Sequence, residues 1–250
     1  VADSALKLWL PMQEGAGTTA YDGSGNGNHG TISGATWTHG IGAPVAQTAV
    51  IDWNKGTNLQ PYSEQLDNSA WTQQAASITT NAIASPDGYQ NADELVVNTS
   101  TAFHQLAAVQ SVSGGTTYAF SVYAKQGSGT KYFQIAGAGL QASSQAPVFD
   151  LQNGVVYTAV TKTVCLSADI ESVGDGWYRC SLIVAATGAA GMTLCFVGAT
   201  NAFSGDSFAG NGTDSFYFWG TQVEAADSLG AYIPNHTGTQ ITSDVLLPQG

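Results

Sequence analysis

Apolar residues in this chain recur at every second position, in short runs divided by glycine-rich turns, and almost nowhere at helical spacing. Residues 116–125 set Tyr118, Phe120, Val122 and Ala124 against Ala119, Ser121, Tyr123 and Lys125. Residues 131–136 follow the flexible turn Gln126-Gly127-Ser128-Gly129. Residues 148–151 and 155–157 flank Gln152-Asn153-Gly154, a hairpin signal because Asn and Gly tolerate the positive φ of a tight turn. Residues 177–185, 192–197 and 215–224 have the same texture. The best helical candidate, residues 62–71, reads as a short turn or loop. Many short strands bury their apolar faces only by packing sheet on sheet. The expected fold is therefore all-β, a jelly-roll β-sandwich of two antiparallel sheets with a short N-terminal β extension.

Hydrophobic residues make up 43% of the 250 positions, enough for a sizeable core. Charged residues are 10%, far below the roughly 25% usual in soluble domains, so Ser, Thr, Asn, Gln and Gly must form the surface. That texture is common in extracellular and virion β proteins. Six basic against 18 acidic residues give a net charge of −12. Such a balance offers no footprint for a phosphate backbone, which argues against nucleic acid as a partner. An anionic membrane surface would repel the chain, and no apolar run of 18 residues calls for membrane insertion. Cys165, Cys180 and Cys195 form no metal-ligand spacing and read as buried free thiols.

The first 50 residues read differently. Residues 6–10 look like a short strand, 22–28 like a polar turn, and 30–37 like a further strand before a loose Gly/Ala/Pro stretch. Two strands cannot bury a core alone. The composition changes near Lys55-Gly56-Thr57, which suggests segments 1–50, 55–236 and a C-terminal extension 237–250.

A series of landmarks runs from Asn58 to Pro234. It opens with Asn58-Leu59, Tyr62-Ser63-Glu64, Asp67-Asn68 and Trp71, followed by Pro86-Asp87-Gly88, Ala92-Asp93 and Leu95. Gly115-Thr116-Thr117-Tyr118 and Phe120-Ser121-Val122-Tyr123-Ala124-Lys125 come next. Gly176-Trp177-Tyr178-Arg179-Cys180-Ser181, Trp219-Gly220-Thr221-Gln222-Val223-Glu224 and Tyr232-Ile233-Pro234 close it. In this order the chain resembles the carbohydrate-binding-module-like jelly rolls of phage and prophage tail and structural proteins. Separately, Leu8-Trp9-Leu10-Pro11-Met12, Glu14-Gly15, Asp22, Ser24-Gly25-Asn26-Gly27-Asn28-His29-Gly30 and Trp37 resemble the opening of a laminin-G-like domain. One arrangement that fits is a jelly roll interrupting such a domain. The resemblance implies a non-catalytic glycan-binding module in a virion or extracellular setting, with homo-oligomers (trimers where fibres are involved). In related jelly rolls a structural Ca²⁺ often ties the first strand to the last, and Glu64 and Glu224 sit near those ends.

Strand alternation selects the site candidates. Phe120 and Val122 face the core, which turns Ser121, Tyr123 and Lys125 the other way. Tyr178, Cys180 and Leu182 oppose Trp177, Arg179 and Ser181. Phe133 and Ile135 oppose Tyr132 and Gln134. Phe216 and Phe218 oppose Tyr217, Trp219 and Thr221. Sugars need an aromatic ring against the apolar pyranose face and planar polar groups for the hydroxyls. Tyr123, Gln134, Arg179 and Trp219 supply that mixture if their strands share a sheet. Alternatively, Trp177 and Trp219 simply cap the sandwich.

No nucleophile elbow, HExxH or phosphate loop is present. Asp93 and Glu94 are adjacent and point to opposite faces, while Asp169 and Glu171 fall where a solvated loop is expected before Gly174-Asp175-Gly176. The sequence therefore reads as non-enzymatic. The competing readings are a ligand-free structural or oligomerisation domain and a polysaccharide lyase or glycosidase. Asp22, Ser24, Asn26 and Gly27 imitate half of an EF-hand loop, but its twelfth position is Ser33, so a backbone-capping turn is expected.

Overall fold

The computed structural model describes residues 57–110, 112–129, 131–136, 146–157, 165–187, 190–196, 207–238 and 241–242. Within the first 45 positions it describes 8, 10, 18–22, 24, 26–34, 36–37 and 44–45. The chain divides into two compact units, Gly56–Ser243 and a smaller one drawn from Val1–Lys55 and Asp244–Gly250.

In the smaller unit β1 (Thr19–Ala20) pairs antiparallel with β2 (Gly30–Thr31), and β3 (Thr36–Trp37) with β4 (Pro44–Val45). The loop between β1 and β2 folds around Asp22. Its Oδ1 accepts the Ser24 N–H at 2.8 Å and its Oδ2 the Asn28 N–H at 3.0 Å, which is the expected capping turn. The strand anticipated over residues 6–10 lies mostly outside the described residues, and Leu8 and Leu10 are not in strand conformation.

The larger unit is a jelly-roll β-sandwich of two six-stranded antiparallel sheets. One runs in the order β14 (Val155–Tyr157), β13 (Val148–Asp150), β12 (Tyr132–Ala136), β17 (Ala190–Phe196), β10 (Gln105–Gln110), β6 (Thr72–Gln74). The other runs β15 (Cys165–Gly174), β16 (Trp177–Ala185), β11 (Thr117–Gln126), β19 (Ser215–Glu224), β8 (Ala92–Val97), β7 (Ala76–Ile83). Two small ladders, β5 (Thr57–Asn58) with β20 (Ile241–Thr242) and β9 (Thr101–Ala102) with β18 (Phe208–Ala209), complete the described strands.

Period-2 alternation places the core. Phe120, Val122, Cys180, Leu182, Phe216 and Phe218 from the β11 sheet meet Leu106, Phe133, Ile135 and Phe149 from the β12 sheet. Phe133 bridges the layers, with its ring centroid 5.1 Å from Phe149 in its own sheet and 5.3 Å from Phe218 across the sandwich. Each such buried side chain contributes roughly 1.5–3 kcal/mol. Cys180 is a buried free thiol as expected, whereas Cys165 is only half-buried; the Cys195 side chain lies outside the described residues.

Strands β7, β8, β10 and β15 carry no clear alternation in the sequence and were not anticipated. The two edge strands β7 and β15 hold no fully buried residue, so backbone pairing rather than burial defines them. This corrects the reading of Asp169 and Glu171 as loop residues, since both lie on β15, opposite Ser181 and Arg179. A second correction concerns β19. Its pairing with β11 skips a residue between Trp219 and Gln222, and Gly220 takes a left-handed φ of 61°. This β-bulge reverses the alternation, so Gln222 and not Thr221 shares the Trp219 face. Thr221 is buried and donates its hydroxyl hydrogen to the Ser63 carbonyl at 3.1 Å.

Buried polar side chains close the unit. Asn58 donates to the Thr221 and Ile233 carbonyls and accepts the Gln60 and Val223 N–H groups, and Asn235 donates back to the Asn58 carbonyl. Asn58, Thr221, Val223 and Ile233 are landmark positions, and the bonds of Asn58 and Asn235 tie residues 58–63 to residues 221–235.

Candidate functional site

On the face of the β11 sheet turned away from the shared core lies a second cluster, built from Ala92, Trp177 and Trp219 with Ile83, Tyr123, Tyr217 and Tyr232 against them. It arises because β11, β16 and β19 are neighbours, so their out-of-core positions align. Tyr123 stands opposite Arg179 on one side and Trp219 on the other.

Three of the four predicted ligand residues converge here. The Tyr123 and Trp219 ring centroids are 5.2 Å apart, and the Arg179 guanidinium carbon lies 5.6 Å from the Tyr123 ring centroid. Arg179 also donates to the Ser121 hydroxyl at 3.2 Å. Burial pushes the Tyr123 hydroxyl above its ordinary pKa, against the lowering effect of Arg179, so the phenol is a neutral donor at physiological pH. The fourth residue is elsewhere. Gln134 lies on β12, in the opposite sheet, fully buried, with its amide donating to the Ala146 carbonyl at 2.8 Å. Alternation gives a residue's face but not its sheet, which is why the four were grouped.

Trp219 is 5% exposed and Trp177 2%, so both rings are buried on this face. Trp177 donates its indole N–H to the Ala84 carbonyl at 3.2 Å, whereas the Trp219 indole N–H is buried without a partner. Tyr123 and Arg179 are half-buried, as are Ile83, Tyr217 and Tyr232. Tyr232, which lies outside any strand, completes the cluster with ring centroids 4.9 Å from Trp219 and 5.7 Å from Tyr123. It sits in an irregular segment fixed by Gln222, which donates to the Ala231 carbonyl and accepts the Ile233 N–H. Periodicity could not have found it; only its place among the landmarks marked it.

Tyr232 leads to a second feature. Its hydroxyl donates to Glu64 Oε1 at 3.0 Å and pairs with the Ser63 hydroxyl at 2.9 Å. Glu64 in turn borders an open cavity of about 460 Å³ whose walls come from residues 64, 65, 67, 68, 80, 81, 91, 93 and 236. Burial raises the Glu64 carboxyl above its ordinary pKa despite the Tyr232 hydrogen bond and His236, whose Nε2 is 3.8 Å from Glu64 Oε2.

The two carboxylates considered for a structural Ca²⁺ each accept a hydrogen bond. Glu224 Oε2 is occupied by the Gly230 N–H at 2.9 Å and Glu64 belongs to the Tyr232 network. Among the described residues no group of three or more His, Cys, Asp or Glu side chains is arranged to hold a metal ion. Ca²⁺ takes six to eight oxygen ligands, more than two carboxylates supply.

No protein-family profile matches this chain, and no curated protein does. Solved structures similar to it include the enzymatically active domain of tailspike protein 4 from bacteriophage CBA120, at 15% identity and a TM-score of 0.40 over 68% of this chain and 21% of that one. The CBM22-1 xylan-binding domain of Paenibacillus barcinonensis Xyn10C is 9% identical, with a TM-score of 0.40 over 70% of this chain and 99% of that one. TmCBM61 in complex with β-1,4-galactotriose is 11% identical, with a TM-score of 0.39 over 68% of this chain and 99% of that one. The chain thus spans about a fifth of the tailspike chain.

Proposed function

We propose that the Gly56–Ser243 unit is a non-catalytic carbohydrate-binding module that holds a glycan on the out-of-core face of the β11 sheet. The observation that carries this reading is the convergence of Tyr123 and Arg179 over Trp219 from three separate strands. An aromatic ring takes the apolar face of a pyranose, and the guanidinium and phenol take hydroxyls. Trp219 supports Tyr123 from behind and does not itself contact the sugar. Gln134, on the opposite sheet, has no part in this site.

Binding is favoured over hydrolysis by where the carboxylates fall. Glu171 stands opposite Arg179 on the edge strand β15, while Asp93 has both oxygens engaged by the Asn81 and Leu66 N–H groups. Asp93 shares a cavity wall with Glu64 and Asp67, but with both oxygens committed to backbone N–H groups it is poorly placed for the acid–base work that glycosidase chemistry asks of a carboxylate pair.

The setting we propose is a phage-type tail protein or another secreted assembly, with the first 50 residues as the opening of a laminin-G-like domain that the module interrupts. The test is affinity electrophoresis against a glycan array for the wild type and for Tyr123→Ala and Arg179→Ala. Retention on at least one glycan, lost in both variants, is expected. Unchanged retention in both removes the site assignment, and no binding to any glycan favours a structural or oligomerisation role. Release of reducing ends from a bound polysaccharide would establish a lyase or glycosidase instead.

A further inference from the structure

The open cavity beside Glu64 is separate from the aromatic face but joined to it through one side chain. Tyr232 packs its ring on Trp219 and Tyr123 and hands its hydroxyl hydrogen to Glu64, which forms part of the cavity wall. At about 460 Å³ the space falls within the roughly 300–1,000 Å³ of small-molecule sites. Its chemistry departs from theirs, because every lining side chain is polar. Three are carboxylates, Glu64, Asp67 and Asp93, and four are the amides Gln65, Asn68, Asn81 and Asn91. Thr80 and His236 add a hydroxyl and an imidazole, and among the described residues neither Lys nor Arg lines the wall.

Such a wall suits one kind of guest. Carboxylates and amide oxygens accept hydrogen bonds from hydroxyl and ammonium groups, and the amide N–H groups donate to ring and hydroxyl oxygens. A guest carboxylate or sulfate would meet three like charges with no fixed cation to answer them. The repulsion is not well screened, since Asp93 is 2% exposed and the Glu64 side chain 12%. Burial already raises both of these carboxyls, so a further anion beside them is disfavoured. Asp93 is fixed, its Oδ1 accepting the Asn81 N–H at 2.8 Å and its Oδ2 the Leu66 N–H at 2.9 Å, so it acts as a field source. Glu64 and Asp67 are the carboxylates a guest can touch.

We infer that this cavity is a second saccharide subsite that accepts sugar residues bearing hydroxyl or amine groups and rejects uronic and sialic acids. The inference rests on the glycan-binding reading of the neighbouring face and adds to it a charge selectivity that the aromatic cluster, with Arg179 as its cation, does not supply.

The experiment measures affinity for three soluble probes of matched length: an N-acetylated chito-oligosaccharide, its deacetylated amine form, and an oligogalacturonate. The wild type should bind at least one of the first two and bind oligogalacturonate at least tenfold more weakly. Asp67→Lys, at an exposed position, and Glu64→Gln, which retains an acceptor for Tyr232, should each narrow that gap several-fold. A thermal melt on each variant confirms folding, and Asp67→Lys stands alone if Glu64→Gln unfolds. Oligogalacturonate bound by the wild type as tightly as the other probes overturns the inference. So does a gap unchanged in folded Asp67→Lys protein; if Tyr123→Ala still abolishes binding, the aromatic site survives that result. Binding of none of the probes, with a glycan array equally silent, removes the glycan reading and the subsite with it.

Discussion

Tyr232 donates its hydroxyl hydrogen bond to Glu64 across 168 positions of sequence, so the wall of the polar cavity and the aromatic cluster are held by one side chain. The Ser63 hydroxyl donates to the same phenol oxygen and itself accepts the Asn235 N–H at 2.7 Å. The aromatic face and chain closure therefore share a hydrogen-bond network, and burial pushes the Tyr232 phenol well above its ordinary pKa.

Tyr232→Phe keeps the ring contacts with Trp219 and Tyr123 and removes only the hydroxyl. It should cost about 1–3 kcal/mol in urea unfolding, because Glu64 and Ser63 lose a partner in a buried setting. An unchanged unfolding midpoint would show that water replaces the phenol without loss.

Asn58→Ala should be more damaging. Four hydrogen bonds converge on that side chain, from two carbonyls and two N–H groups that would be left buried and unpaired. A loss of at least about 3 kcal/mol is expected from several such groups. Differential scanning calorimetry would read it, and a melt within a few degrees of wild type would contradict the closure role.

Gly220→Ala tests the bulge. The residue has φ 61°, and an added Cβ would meet the Tyr123 ring at 2.9 Å and the Tyr232 ring at 3.2 Å. A left-handed non-glycine residue costs about 1–3 kcal/mol, and the displaced Tyr123 should also weaken glycan retention. Full stability together with full retention would rule out this account.

Two buried carboxyls should respond to pH in opposite senses. Burial raises Asp93 above 3.8, outweighing its backbone hydrogen bonds. Its stabilising contribution is therefore complete below pH 3.8 and lost as pH rises through the higher folded value. Burial acts the same way on Asp150, but hydrogen bonds from Asn153 and the Lys131 ion pair at 3.1 Å prevail and hold it below 3.8. Its contribution is present above pH 3.8 and lost as pH falls through the lower folded value. Thermal scans from pH 2.5 to 7 should show the gap between wild type and Asp150→Asn widening with pH and that for Asp93→Asn narrowing. Parallel trends for the two variants would contradict the assignment.

Arg179→Met separates binding from folding. Methionine keeps the aliphatic stem and loses the cation that faces Tyr123 and Ser121. Stability should change by no more than about 1 kcal/mol for a half-exposed cation–π pair, while glycan retention falls. Retention equal to wild type would remove Arg179 from the site.

Strand content and face were legible in the sequence wherever the alternation was strong. Residues 177–185 and 215–224 read as strands with Cys180, Leu182, Phe216 and Phe218 inward, because a period of two is a local property of an extended backbone. The same rule grouped Tyr123, Arg179 and Trp219. It failed on edge strands such as Ala76–Ile83, where neither face is fully buried and the pattern has no contrast.

Which strands lie side by side was decided by tertiary pairing alone. It brought Tyr123 between Arg179 and Trp219, sent Gln134 to the opposite sheet, and moved Thr221 off its predicted face through the Gly220 bulge. The cavity beside Glu64 depends on it most. Its walls come from stretches up to about 170 positions apart, and their approach follows from backbone pairing and the Asn58, Ser63 and Tyr232 hydrogen bonds, which leave no periodic mark on the chain.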